Sequence, residues 1–487
     1  MTPGSVALLL LVTLVLGGSA VGFLAGRRRE LRLEEWAVAG RGLGVLLVWL
    51  LMAGENFTAF SVLGLSGWIY SRGGPTLYIL VYLALGQVLL IFVGPLIWEF
   101  GRRHGLQTIG DFFTRRYASA ALGVLVALTG VIFLVVYLQL QVTSLGIIVE
   151  VCSFGQVGRL PAMVAATALA ACIVLASGVR AIVWVSVLKD FLLVGVAVLV
   201  GIAIPYHYFG GIGPMFAAVE HARPGHLTMP GSTTVNTHSW YVTTVLMSSL
   251  GLTWPHMFAS LFTAKSGDTV RKNAVLMPFH LLPLVLIVFA GCAAILVVPN
   301  LPNGDLSLLT VARQTFPPWV LGLIGGAGAL TAMVPAGVQM LSASTLIAKN
   351  IVPPLAGRPL PEATVARVAR AGVVAVALVA LYLSVHSSAT LVSLLILAYS
   401  GVGQFAPGIV LGVFCDRVSG RGVLAGILSG LAVTGALVWS HHDPFHGINT
   451  GFIGLGVNLA IVGACTAMER RDAMPSLAAI GAGQETM

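Results

Sequence analysis

The stretch whose reading decides the fold is "LMAGENFTAFSVLG", residues 51–64. Glu55 and Asn56 stand there in the middle of a run that is otherwise apolar enough to cross a lipid bilayer. A carboxylate at that depth costs roughly 2.5–3.5 kcal/mol on insertion scales, so an ionisable residue inside a span marks a functional site. Gly54 and the Thr58 hydroxyl interrupt the same run. What breaks a membrane helix at this point becomes readable once the spans around it are counted.

Of the 487 residues, 57% are hydrophobic and 9% charged, and the mean hydropathy is +0.96. Apolar runs of roughly 20 residues recur along the chain, the length a helix needs to cross the hydrocarbon. They lack the alternation of an outer-membrane barrel. With backbone groups satisfied inside each helix, the fold class is an all-α polytopic membrane protein. Thirteen transmembrane helices are expected; the second covers 44–70, the sixth 181–204, the seventh 239–263 and the ninth 318–348. The first apolar run has no positive charge before it, and "GRRRELR" follows it at 26–32, so it reads as a retained helix rather than a signal peptide. Its N-terminus is placed outside and the C-terminus in the cytoplasm. Alternating the loops then puts 21 of the 26 Lys and Arg inside, and leaves Arg72, Arg159, Arg223 and Arg313 outside, with Lys189 within a span. That bias is the positive-inside signature of a multi-pass protein of the cytoplasmic (inner) membrane. The net charge of +9 is therefore explained by anionic membrane lipid and calls for no nucleic acid.

A second interruption, "SSLGLTWPHMFAS" at 248–260, lies in the seventh span. Gly251 and Pro255 flank Thr253 and Trp254 there, and His256 follows. Proline removes a backbone donor and clashes with the preceding turn, so an unwound segment is expected. Five spans separate the two breaks, which is the spacing of an inverted repeat of five helices, each opening with a discontinuous one. The chain then divides into an N-terminal helix and cytoplasmic loop (1–43), a first repeat (44–204), a second repeat (239–414), two C-terminal helices (422–468) and a cytoplasmic tail (469–487). Gly426 and Gly430 are spaced for close helix packing or for a dimer face, and the expected state is a monomer or weak homo-oligomer.

"WAVAGRGLG" (36–44), "GENFTAFSVLGLSGWIYSRGG" (54–74) and "SGVRAIVWVSVLKD" (177–190) resemble the sodium:solute symporter family. The resemblance implies a LeuT-type 5+5 inverted repeat with one extra N-terminal and two extra C-terminal helices. "AGENFTAF" and "TAMVPAGVQMLSASTLIAKN" are most similar to its bacterial monocarboxylate-permease-like branch. The implied function is a secondary active transporter, not an enzyme, with no cofactor and with sodium or a proton as coupling ion. Two positions depart from the family's pattern. Trp184, Val185, Ser186 and Lys189 stand where it reads Trp-Thr-Asp with Gln three residues on, so the acid is gone and a cation sits one turn further along the same face. The hydroxyl pair of the ninth span falls on Met333–Val334 or Val334–Pro335, which offer no hydroxyl oxygen. The cation-coupling set is then Gly54, Glu55, Phe57, Ser186, Lys189 and Thr331. Lys189 either pairs with the adjacent Asp190 or occupies the cation site.

The substrate-binding wall is expected from Glu55, Asn56, Thr58, Gln87, Gln141, Thr253, Trp254 and His256. So few polar groups cannot satisfy the hydroxyls of a sugar, and a small monocarboxylate fits best. His280 is read as structural. The five cysteines, Cys152, Cys172, Cys292, Cys415 and Cys465, lack CxxC spacing and read as reduced packing residues. "HHDPFH" at 441–446 has metal-like composition, yet it lies in an outer loop at the edge and no metal is assigned. An orphan sensory domain of the same fold and a sodium-independent exchanger are the alternatives. A channel wants a ring of like charges or carbonyls and an enzyme a nucleophile–base pair or a metal cluster; the sequence offers neither.

Overall fold

The computed structural model describes residues 1–26, 33–229, 237–387, 389–468 and 477, and among them the chain is helical, with two isolated bridges and no extended strand. Among the described residues ten helices are long and apolar enough to cross a membrane, from Pro3–Leu24 to Thr450–Met468. An eleventh span appears when Val45–Asn56 and Phe60–Arg72, bent by 56° at the break between them, are counted as one. Arg27, Arg28, Arg29 and Arg32 of the basic run after the first helix, and the tail 469–487 except Leu477, lie outside the described residues.

The longest helical stretch, Arg159–Phe209, contains 51 residues, about 76 Å of helix and more than twice the hydrocarbon thickness. It breaks at Gly178, where φ is 60° and ψ −150°, a conformation that favours glycine. A Cβ at Gly178 would stand 2.5 Å from the Trp36 carbonyl oxygen, and the Trp36 indole N–H donates to Val174 O at 3.0 Å. The expected spans 160–178 and 181–204 are thus joined by a turn packed under residues 33–38. The expected loop 205–238 is partly helical, since the span runs on to Phe209 and Ile212–Ala222 adds a short helix.

Burial orders the helices. The most apolar window of Pro318–Leu355 is 94% buried, against 22% for Thr450–Met468, so the former is the axis and the latter sits at the lipid boundary. A Cβ on Gly426 would strike Asn458, and one on Gly430 would strike Gln404. Asn458 Nδ2 in turn donates to Gln404 O at 2.7 Å. These glycines let helices of one chain approach, which corrects the dimer-face reading. Cys152 and Cys292 are buried packing residues as expected, whereas Cys172 and Cys415 are exposed.

Candidate functional site

The first break falls after Asn56 rather than at Gly54: Glu55 and Asn56 are the last residues of Val45–Asn56, and a wide helical turn resumes at Phe60. Residues 57–59 must find other partners for their backbone. Phe57 N–H still donates to Ala53 O at 2.7 Å, but Thr58 N–H turns back to Asn56 O at 3.0 Å. Ser61 Oγ donates to the same Asn56 carbonyl at 2.7 Å, and Ala59 N–H donates to Gln141 Oε1 at 3.4 Å. The two freed carbonyls, Gly54 O and Phe57 O, accept from the Lys189 ammonium at 2.8 and 3.0 Å. Asp190 Oδ1 lies 3.0 Å from the same nitrogen. The buried ammonium thus donates to two carbonyls and pairs electrostatically with a carboxylate whose own oxygens lack a hydrogen-bond partner.

Lys189 therefore lies against Asp190 and against the carbonyls of Gly54 and Phe57, two residues of the expected cation-coupling set. Gly54 makes the approach possible, because a Cβ there would stand 2.7 Å from Ser186 Oγ and 3.4 Å from Lys189 Nζ. Ser186 and Lys189, one turn apart, share the face that meets the break. Thr331 does not join them: its hydroxyl donates to Ala327 O in its own helix at 2.7 Å. Met333 and Val334 line an apolar gap with Val174, Ile182 and Val185, so that helix offers side-chain methyls and methylenes where a sodium ion would want oxygens.

Glu55 bridges the two breaks. Its Oε1 accepts from Ser260 Oγ at 2.5 Å, while Oε2 is buried without a hydrogen-bond partner. Ser260 belongs to Pro255–Leu261, the C-terminal half of the second broken helix. There His238–Ser248 gives way to a tight turn at Gly251–Thr253, Trp254 is extended (φ −64°, ψ 127°), and Pro255 starts the next helix. Proline suits that first position because its missing N–H would have no intrahelical partner. Thr253 Oγ1 donates to Leu250 O at 2.7 Å, so it closes the turn rather than facing a solute. The Trp254 ring packs on Tyr137 (4.8 Å) and Tyr399 (5.1 Å), and His256 lies against Tyr137 at 5.7 Å.

Between the breaks lies a cavity of about 30 Å³ lined by Asn56, Gln87, Ser248, Ser249, Gly251 and Tyr399, among others. Of the eight expected substrate residues it contains Asn56 and Gln87, each with an unpartnered side-chain atom, Asn56 Nδ2 and Gln87 Oε1. Glu55, Thr58, Gln141, Thr253, Trp254 and His256 pack around the breaks instead. Tyr399 carries no local signal that would have found it, whereas Ser248 and Ser260 are the first and last residues of the interrupted stretch 248–260. His280, read as structural, packs against the first break. Its ring stands edge-on to Phe57 at 5.2 Å, and Lys189 Nζ lies 5.7 Å from the centre of that same Phe57 ring. The signal was the tight turn Met277–His280 inside an expected span. In the loop that carries "HHDPFH", Asp443 Oδ1 accepts from Thr450 Oγ1 at 3.0 Å, and no cluster of three metal-ligating side chains occurs among the described residues.

A family model described as "Sodium:solute symporter family" matches residues 36–430. The chain belongs to the sodium:solute symporter family. Membership makes it a multi-pass membrane transporter of small molecules in a family of cation-coupled symporters, and not an enzyme. It is similar to an uncharacterised symporter, YhjB of Bacillus subtilis, with 38% identity over 96% of this chain and 97% of that one. A monocarboxylate transport permease protein of Rhizobium johnstonii shares 27% over 91% of this chain and 93% of its own length. In fold, this symporter-family chain matches a solved Na+-coupled sialic acid symporter with a TM-score of 0.82 at 15% identity, covering 97% of this chain and 99% of the other.

Proposed function

We propose that this chain imports a small monocarboxylate across the cytoplasmic membrane by alternating access, with protons rather than sodium as the coupling ion. The observation that carries the ion assignment is Lys189: its ammonium donates to Gly54 O and Phe57 O, where a sodium ion would find its carbonyl ligands. The adjacent helix supplies Met333 and Val334 and no second oxygen pair. Glu55, bridged to the second break through Ser260, is the proton-carrying group in this reading, because a buried carboxylate with one unpartnered oxygen gains by holding a proton.

The solute reading rests on scale and chemistry. The cavity between the breaks is small and offers one amide donor and one amide acceptor, Asn56 Nδ2 and Gln87 Oε1. Acetate, lactate or pyruvate needs few partners, and the printed name of the Rhizobium johnstonii relative supports this class. The architecture in this proposal is thirteen spans, N-terminus outside, with the repeats 44–204 and 239–414 inverted about the breaks. The turn at Gly178 and the broken segment 238–261 support that count by adding one span each to the eleven.

The test is uptake of labelled lactate, acetate or pyruvate into proteoliposomes with proton and sodium gradients imposed separately. Accumulation driven by a proton gradient in choline buffer is expected. Accumulation that needs a sodium gradient overturns the ion assignment, and failure to take up any of the three under either gradient overturns the solute class.

A further inference from the structure

Below Ser260 the structure continues as a file of polar side chains that runs from the site to the basic end of the bundle. Ser260, whose hydroxyl holds Glu55, also lines a small cavity of about 10 Å³ together with Ser342, Thr345, Gln107 and Thr108. Gln107 and Thr108 form the far wall of that cavity, and both are tied to residues that line the next one. Thr108 Oγ1 donates to Asn350 Oδ1 at 2.7 Å. Lys349 Nζ donates to Gln107 Oε1 at 3.1 Å and to Asp111 Oδ2 at 2.8 Å. Asn350 Nδ2 donates to the other Asp111 oxygen at 2.8 Å. Beyond this cluster an open cavity of about 600 Å³ is lined by Asp111, Lys349, Asn350, Arg115 and His104.

The cluster is built to hold one position. Thr108 and Asp111 cap the short helix Ile109–Tyr117 reciprocally, and the Gln107 and Thr108 amides donate to the same carboxylate at 2.9 and 3.2 Å. Gly110 packs so closely on Asn350 that a Cβ would stand 2.7 Å from its side-chain carbon. Burial pushes the Asp111 carboxyl up, yet the Lys349 ammonium and these hydrogen bonds hold it below its ordinary value. A charged, fully engaged carboxylate therefore binds the loop helix to the inner end of the axial helix.

We infer that Gln107, Thr108, Asp111, Lys349 and Asn350 form the inner lock of the transport route, separating Glu55 and the cavity between the breaks from the cytoplasm until the Asp111–Lys349 pair parts. The inference rests on the transport reading of the Glu55 site and on the orientation given above. It adds a direction of release: solute and proton leave past Ser260, Ser342 and Thr108 into the wide basic cavity. Ser342 is the reporter position, because it lines the small cavity on the closed side of the lock.

The experiment places Ser342→Cys in the full-length chain and measures its modification by a membrane-impermeant thiol reagent in inside-out vesicles. Mass spectrometry separates that site from the native cysteines. Asp111→Asn and Lys349→Gln are each expected to raise the labelling rate at least tenfold, and the exchanged pair Asp111→Lys with Lys349→Asp to return it toward the parent. Thr108→Ala, which changes no charge, raises it by a smaller factor. Unchanged labelling in any single charge variant that keeps the parent's melting temperature overturns the lock. An exchanged pair that labels as fast as the single variants also overturns it. Acceleration confined to right-side-out vesicles overturns the orientation instead. None of these readouts uses a transported solute, so failure of the monocarboxylate reading leaves them interpretable.

Discussion

At the first break two freed carbonyls are held by an ammonium from another helix, whereas at the second the chain closes on itself through the turn at Gly251–Thr253 and Pro255. The first arrangement depends on Lys189, a charged group reaching in from another helix, and on Gly54, which lets Ser186 come close. The second depends on local backbone geometry and on a box of aromatic rings around Trp254. The difference assigns unlike jobs to the two broken helices. The break closed by a charge is suited to respond to ion binding, and the one closed by proline and packing is suited to stay fixed while its neighbour moves.

The largest effect that could break this contrast is at Lys189. Lys189→Met leaves Gly54 O, Phe57 O and Asp190 without their cation, and removing one partner of a buried charge pair is destabilising by about 3–5 kcal/mol. Loss of uptake and a large drop in melting temperature in detergent are expected, with partial recovery when Asp190→Asn is added. A Lys189→Met protein that melts like the parent would show that the carbonyls need no cation and that the two breaks are alike.

Glu55→Gln comes next. The amide oxygen can still accept from Ser260, so stability should change by less than about 1 kcal/mol. Proton-driven accumulation should fall at least tenfold while exchange of labelled for unlabelled solute continues. Equal losses of accumulation and exchange would mark Glu55 as a binding or structural group rather than the coupling one. Gly54→Ala sharpens the same region. The new methyl meets Ser186, an overpacking that costs about 1–3 kcal/mol, and Ser186→Gly in the same chain should recover most of the melting temperature. Non-additivity of the pair is the informative readout.

How much of this was legible beforehand follows physical lines. Breaks in membrane helices are written locally, in Gly54 with Glu55 and in Gly251 with Pro255, so both were visible in the letters. The Gly54 and Phe57 carbonyls and Lys189 were grouped through the resemblance to the symporter family, and helix periodicity added only that Ser186 and Lys189 share one face. Which side chains line the cavity was not readable, because that depends on how helices from opposite ends of the sequence rotate against each other. Thus Gln141 turned out to satisfy the Ala59 amide, Thr253 its own turn, and His280 reached Phe57 from a span that looked featureless. Tyr399 joins Trp254 across 145 positions of sequence, and no local pattern announces such a contact.

The smallest effect concerns what holds the outer half of the first broken helix, where charge again acts at a distance from Lys189. Gly67 in Leu65–Arg72 packs so tightly on the outer loop that a Cβ there would stand 2.7 Å from the Asp305 backbone nitrogen. Asp305 Oδ2 accepts from the Leu391 amide at 3.2 Å, tying that loop to the start of Leu391–Val402. Burial pushes the Asp305 carboxyl up to about 6, against the hydrogen bonds from Leu391 and Asn303 that lower it. Between roughly pH 4 and 6 the packed chain therefore holds a proton that an unfolded chain has released. This group's contribution is complete at the acidic end of that window and is lost as pH rises through 6. Asp305→Asn removes the titration and keeps an oxygen for the Leu391 amide. The variant should gain about 1–2 kcal/mol over the parent at pH 7.5, seen as a melting temperature a few degrees higher, and should lose about half of that advantage at pH 5. Parallel melting curves at the two pH values would mean that the outer loop carries no buried charge. The outer half of the first broken helix would then be held, like the second break, by packing alone.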